Sequence, residues 1–160
     1  MTAAPDKRGA APIGHLAELD ALEAASVIYL RLWSDGGDAQ AHMQCAFSSM
    51  LGVDQGARAM HAFEDLCTLC ATHGRRPLMR HGIGCTCLGA DEACFAHFIA
   101  TAAEGERDDA MLMATLLVRV DMAPVLVALA IDVGLALKRM RLRTPRAVNQ
   151  PRQTEFHTLH

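Results

Sequence analysis

Cysteine and histidine are the residues of this chain whose types and spacing could do chemistry, and most of the cysteines fall within residues 67–94. That stretch contains five of the six cysteines, four of them as a Cys-x2-Cys pair followed by a Cys-x-Cys pair. One histidine follows the first pair by three residues, and another precedes the second pair by four. The candidate ligands are Cys67, Cys70, His73, His81, Cys85 and Cys87.

A structural zinc site is the first chemistry that this set suggests, because tetrahedral zinc takes four thiolates, or three thiolates and one imidazole. Cys67, Cys70 and His73 are three residues apart and would form one row at the end of a helix. Cys85 and Cys87 lie in a Gly-rich loop that can bend tightly. The spacing therefore predicts a zinc ion held by the four cysteines, with His73 or His81 substituting for one. An iron–sulfur cluster is a less favoured use of the same thiols.

A redox pair is the alternative, and it needs only Cys85 and Cys87. Cys87 precedes the predicted start of a helix, whose dipole lowers the pKa of a nearby thiol. Arg75, Arg76 and Arg80 would also favour a thiolate in this loop. On this hypothesis the two thiols oxidise reversibly to a disulfide, and the protein senses oxidant without holding a metal.

An inert role competes with both hypotheses, since free cysteine is among the most buried residue types. Cys67 and Cys70 fall within the apolar stripe of a predicted helix. Cys45 and Cys94 each stand alone on a predicted helix, and we expect both to be core residues.

Packed helices are the elements expected to position these residues. The chain is 51% hydrophobic but only 4% aromatic, and it is rich in Ala, Leu and Met, which favours helices over sheet. A length of 160 residues predicts one domain. We expect an all-α, single-domain bundle of five to six helices over residues 13–142, between a disordered arm (1–12) and a basic flexible tail (143–160).

Apolar spacing and helix-start signals locate the helices and the loop. Asp38 and Asp54 are the expected N-caps of the second and third helices. Gly74 is expected to end the third helix in the C′ position. Asp91 and Glu92 are expected to face the dipole of the fourth helix. A Cys/Gly-rich loop separates the third and fourth helices, and the last helix is central. The helices are expected at about 15–33, 38–51, 55–73, 91–103, 110–118 and 121–142.

The rest of the sequence favours a cytoplasmic, non-enzymatic protein. It contains no P-loop, dinucleotide-binding, zinc-protease or nucleophile-elbow motif. Its beginning has no apolar signal-peptide segment, and 13 arginines against two lysines suggest a GC-rich bacterial genome. The apolar run 122–137 is 16 residues long and contains Asp132, whereas a membrane span needs about 20. A membrane partner is therefore not expected.

The charge distribution offers a third function. The net charge is −3, yet the chain from Lys138 onward carries six Lys or Arg against one acid, Glu155. Such a basic end could contact phosphate groups of DNA. Candidate nucleic-acid contacts are Arg139, Arg141, Arg143 and Arg146. The favoured hypothesis remains a regulatory or interaction protein with a structural zinc site, with a protein partner or a second copy of the chain; the redox sensor and the DNA-binding regulator are the alternatives.

Overall fold

The most apolar segment of the chain forms the central helix of the fold. The structure is a computed structural model, and it describes residues 7–143. Helix α6 (Ala123–Arg143) packs against the five helices that precede it, so Leu126, Ala130 and Val133 are almost completely buried. Those five helices are α1 (Ala21–Asp35), α2 (Gly37–Leu51), α3 (Val53–His73), α4 (Ala90–Ala103) and α5 (Arg107–Leu117).

The predicted all-α bundle is confirmed for the described residues. The predicted apolar faces of α3 and α4 point inward, because residues spaced three and four apart lie on one side of a helix. Phe63 and Phe95 meet edge to face there, with ring centroids 6.4 Å apart. The buried faces comprise Ala59, Met60, Phe63, Leu66, Cys67 and Cys70 on α3, and Phe95, Phe98, Ile99 and Ala102 on α4.

Single glycines join the first three helices. Gly36 and Gly52 have φ of 78° and 87°, a left-handed conformation that glycine adopts without steric penalty. Each glycine is both the C-cap of one helix and the N-cap of the next. The predicted N-caps Asp38 and Asp54 are therefore wrong, and both residues lie in the first turn of their helices.

Gly74 ends α3 as predicted, but for a different reason. Its φ of −64° and ψ of 147° make the backbone extended, so the left-handed C′ conformation is absent at this position. A Cβ atom at residue 74 would lie 2.1 Å from the carbonyl oxygen of Cys70. Glycine is needed there because the backbone stays close to the helix end, where Gly74 itself pairs with Val118 in an isolated antiparallel bridge.

Close approach of α2 and α3 explains a second glycine, Gly56. A Cβ atom there would lie 2.8 Å from the backbone carbonyl group of Phe47. Alanine improves helix propensity by up to about 1 kcal/mol, whereas forcing α2 and α3 apart costs about 1–3 kcal/mol. We expect Gly56→Ala to lower the free energy of unfolding by about 1–2 kcal/mol in urea denaturation.

The matched control for that substitution is Gly37→Ala. Gly37 opens α2 and has no heavy atom within 4 Å of the position a Cβ would take. We expect it to leave stability unchanged or to raise it by up to about 1 kcal/mol. Equal effects of the two substitutions would show that α2 and α3 do not approach closely at Gly56.

A small sheet lies beside the helices and was not predicted. Strand β1 (Pro12–His15) pairs antiparallel with β2 (Cys87–Gly89), immediately before α4. A 3₁₀ helix, Lys7–Ala10, precedes β1 and packs on α4. Part of the predicted disordered arm is therefore ordered structure. Residues 1–6 and 144–160, which include most of the predicted tail, lie outside the described residues.

The segment Val120–Arg141, which contains most of α6, is long and apolar enough to cross a membrane, with a mean hydropathy of 2.0. It is longer than the 16-residue run identified in the sequence. The core helix of a soluble protein meets the same criteria, and 44% of the apolar stretch is buried against the other helices. The expectation that no membrane is involved stays a prediction.

Candidate functional site

A buried ion pair holds the cysteine-rich loop. Arg31 on α1 donates from Nε and Nη2 to the carboxylate of Glu92 on α4, at 2.7 and 2.9 Å. The two side chains are 1% and 0% exposed. A buried charge is costly unless it is paired and hydrogen-bonded. The remaining hydrogen-bonding positions of both groups are therefore directed at polar atoms of the loop.

Those atoms belong to the loop backbone. Arg31 also donates to the carbonyl oxygens of Cys85 and Cys87, at 2.6 and 2.8 Å. Glu92 accepts from the backbone N–H groups of His81 and Gly89, each at 2.9 Å. We refer to this arrangement as the Arg31–Glu92 clamp. It fixes four points of a loop that buries little apolar surface of its own.

Both members of the clamp are charged at neutral pH. Burial alone would raise the pKa of Glu92, but hydrogen bonds from Arg31, Gly89 and His81 outweigh burial and lower it. The hydrogen bond to Glu92 raises the pKa of Arg31 further above its already high ordinary value. The clamp is thus a charge-assisted network in which each hydrogen bond stabilises the ionised form of a partner.

A second ion pair, between Asp91 and Arg76, anchors the other side of the loop. Asp91 is buried, forms a bidentate ion pair with Arg76 and accepts from the N–H of Met79 at 2.8 Å. Gly9 packs so closely on Asp91 that a Cβ there would lie 2.0 Å from the carboxylate. Asp91 and Glu92 do lie in the first turn of α4, as predicted. Their side chains, however, bind arginines and loop N–H groups as well as facing the helix dipole.

One histidine links the loop thiols to the N-terminal segment. The Nε2 atom of His81 lies 2.9 Å from the carbonyl oxygen of Ala10, and its Nδ1 atom lies 3.6 Å from Cys85 Sγ. A carbonyl oxygen only accepts, so Nε2 carries the hydrogen. In the neutral ring Nδ1 is then an acceptor facing the Cys85 thiol. This is the geometry of a thiol beside a base that a third group orients.

Cys87 lies two residues beyond Cys85 in the loop. A negative charge on Cys85 is the main cause that raises the pKa of Cys87 above its ordinary value. This direction is opposite to the one predicted from the dipole of α4, which would lower the pKa of Cys87. The neighbouring thiolate has the larger effect because it is a full charge, whereas a helix end carries about half of one. Both residues are half-buried.

The other predicted ligands lie elsewhere. Cys67 and Cys70 are buried within the core face of α3. Desolvation raises the pKa of Cys67 well above its ordinary value and that of Cys70 to about 12. His73 is half-buried at the end of α3, where its carbonyl accepts from the N–H of Arg119. In the part of the chain that the structure describes, no three His, Cys, Asp or Glu side chains are grouped to hold a metal ion.

The lone cysteines were placed wrongly. Cys45 on α2 and Cys94 on α4 were expected in the core, and both are exposed. Cys45 lies two residues from the buried Met43 and Phe47, and Cys94 directly precedes the buried Phe95. A helix turns by about 100° per residue, so a shift of one or two residues moves a side chain from the buried to the exposed face. Their type alone was a poor guide to burial.

The residue that sequence reasoning missed is Arg31. Its signal is visible in retrospect, because it lies on the buried face of α1 that also contains Val27 and Leu30. A charged residue in an apolar stripe is almost never buried without a partner. The sequence does not show which of the many acids is that partner. The expected arginines serve other contacts, since Arg75 donates to the carbonyl of Thr115 and Arg76 binds Asp91.

The predicted nucleic-acid contacts are only partly described. Arg139 and Arg141 are exposed on α6. Arg143 is the last residue of that helix, and nothing is described of its side chain. Arg146 lies outside the described residues. A DNA-binding role for the arginines at this end of the chain therefore stays a prediction.

Comparisons with known proteins give no further guide to the role of these residues. No protein-family model matches the chain, and neither the curated proteins nor the solved structures contain a match.

Proposed function

We propose that this chain is a thiol-based redox protein in which Cys85 and Cys87 cycle between two thiols and a disulfide. The observation that carries the proposal is the contact of Cys85 Sγ with His81 Nδ1, at 3.6 Å, with the half-buried Cys87 two residues further along the loop. A reactive cysteine needs a base or a positive group nearby, partial exposure and a second thiol to resolve the oxidised form. All three features meet at this loop.

The chemistry requires a hydroperoxide as oxidant. His81 Nδ1 accepts the proton of Cys85, and the thiolate attacks one peroxide oxygen, so that the O–O bond breaks and a sulfenic acid forms. The departing hydroxide or alkoxide takes up that proton. Cys87 sulfur then attacks Cys85 sulfur, the S–O bond breaks, and water leaves as the disulfide forms. A cellular dithiol would return both residues to thiols by exchange.

The two cysteines have different roles in this proposal. Cys85 contacts the base and is the attacking residue. A negative charge on Cys85 is the main cause of the raised pKa of Cys87, so the two thiols do not ionise together. Once Cys85 is a neutral sulfenic acid, that cause disappears and Cys87 ionises more readily. The resolving thiol is therefore activated only after the first step.

The zinc hypothesis stays a prediction, but the geometry supports it less well than the redox pair. Metal binding needs deprotonated thiols. The raised pKa values of Cys67 and Cys70 oppose deprotonation, and both side chains face the core. His81, Cys85 and Cys87 alone would leave a tetrahedral ion incomplete.

Oxidation of the reduced, full-length chain tests the proposal. We expect mild hydrogen peroxide to consume two of the six thiols, and peptide mapping to locate the disulfide between Cys85 and Cys87. Cys85→Ser and Cys87→Ser should abolish this disulfide. Cys94→Ser, at an exposed cysteine outside the pair, should leave it intact. His81→Asn should slow its formation by about tenfold or more, because the base is lost.

Elemental analysis of the chain, purified without an affinity tag, separates the zinc hypothesis from the redox proposal. About one zinc per chain, lost in both Cys67→Ser and Cys85→Ser, would support the metal site and overturn the redox proposal. Six thiols that survive peroxide would overturn it as well.

A further inference from the structure

The N-terminal segment is attached to the loop that contains the two cysteines. The carbonyl of Ala10 accepts from His81, the carbonyl of Ala11 accepts from Ala90 N–H at 3.1 Å, and Leu16 N–H donates to Thr86 at 2.9 Å. Between them, β1 pairs with β2, and His15 lies opposite Cys87 itself. The backbone contacts of this segment therefore surround the redox pair on both sides.

Little apolar burial supports these contacts. Leu16 and Leu19 are half-buried against a small cluster of Val27, Leu88 and Ala96 that is separate from the main core. Ile13, at the middle of β1, is 60% exposed. A two-stranded hairpin is marginally stable by itself. The segment is thus held mainly by hydrogen bonds to the loop, and a change in loop geometry decides whether it stays attached.

A disulfide between Cys85 and Cys87 would impose such a change. The bond would close a small ring through Thr86 and hold the two Cβ atoms about 4 Å apart. Cys85 and Thr86 lie outside β2 in irregular backbone, so that ring would set the dihedral angles of residues 85–87. The three carbonyls of these residues are all engaged, those of Cys85 and Cys87 by Arg31 and that of Thr86 by Leu16.

The relative strengths of these hydrogen bonds decide which of them breaks when the disulfide forms. The bonds from Arg31 are charge-assisted and come from a buried side chain, and such bonds are roughly twice as strong as neutral ones. The Leu16–Thr86 bond is a single neutral bond at an exposed residue. Oxidation also removes the Cys85 proton that faces His81, so the ring loses the contact that aligns it towards Ala10.

We propose that oxidation of Cys85 and Cys87 detaches the segment from Ala10 to Leu19 from the loop, so that this segment is the output element of the redox pair. The inference rests on the proposed function. Detachment would uncover Val27, Leu88 and Ala96 and free the hydrogen-bonding edge of β2. The redox state of two thiols would thereby control an apolar surface at the start of α4.

Hydrogen exchange of the full chain, followed by mass spectrometry, tests this step. On forming the disulfide, the amides of β1 and Leu16 should exchange faster by about tenfold or more, while those of α3 and α6 stay protected. Leu16→Pro in the reduced chain supplies the detached reference, because proline has no N–H to donate to Thr86. Cys85→Ser exposed to the same oxidant is the matched control and should show no change, because the attacking thiol is absent.

The outcomes separate this inference from the proposed function. If the mass shows the disulfide but the amides of β1 exchange at the rate of the reduced chain, the proposal of an output element is wrong, whereas the proposed redox pair is supported. If no disulfide forms, both proposals fall. If β1 in the reduced chain already exchanges as fast as in Leu16→Pro, the segment is not attached, and the inference falls regardless of the disulfide.

Discussion

Replacing Arg31 with methionine should lower the free energy of unfolding by about 3–5 kcal/mol, the usual effect of removing one partner of a buried ion pair. Methionine keeps much of the apolar stem but leaves Glu92 buried without its cation. It also leaves the carbonyls of Cys85 and Cys87 without their donor. For a chain of this length the melting temperature should fall by roughly 10 °C or more, which calorimetry would measure.

Two comparisons make this result specific. Arg119 pairs with Asp121 at 2.9 Å, but their side chains are 64% and 53% exposed, so Arg119→Met should change stability by less than about 1 kcal/mol. The double variant Arg31→Met/Glu92→Met should recover part of the loss, because it leaves no unpaired charge. An Arg31→Met effect no larger than that of Arg119→Met would show that the clamp does not hold the loop.

The bundle was predictable because its signals are local. Phe63 and Phe95 recur at helical spacing with other apolar residues, and each stripe is long enough to identify its helix. The apolar side chains of α6 could only be buried with that helix at the centre of the fold. The N-caps Gly36 and Gly52 were harder to predict, because the aspartate two residues after each is an equally good N-cap by residue type.

The candidate site was predictable only in part. Cysteine spacing identified the loop, but it did not show that Cys67 and Cys70 are buried on the core face of α3. The groups that hold the loop come from distant positions. Arg31 is 61 residues from Glu92 in sequence, and nothing local to either residue specifies the other.

The same clamp gives stability a pH dependence on the acid side. The pKa of Glu92 in the folded chain lies below its ordinary value, because hydrogen bonds from Arg31 and loop N–H groups outweigh burial. A carboxyl group whose pKa is lowered by folding stabilises the protein fully above its unfolded pKa, about 4.3 for Glu. That contribution is lost as the pH falls through the lower folded pKa. The clamp should therefore begin to weaken below about pH 4.

Glu92→Gln isolates this effect, because glutamine resembles the protonated acid and does not titrate. At pH 7 the wild-type chain should be more stable than Glu92→Gln by about 3–5 kcal/mol in urea denaturation, since the substitution leaves Arg31 buried and unpaired. As the pH falls below about 4, the difference should shrink, because the wild-type residue acquires the same neutral form. Exposed acids titrate equally in both chains and cancel from the comparison. A difference that stays constant from pH 7 to the acid limit would mean that folding does not lower the pKa of Glu92, and a difference that grows as the pH falls would mean that Glu92 is not ionised in the fold.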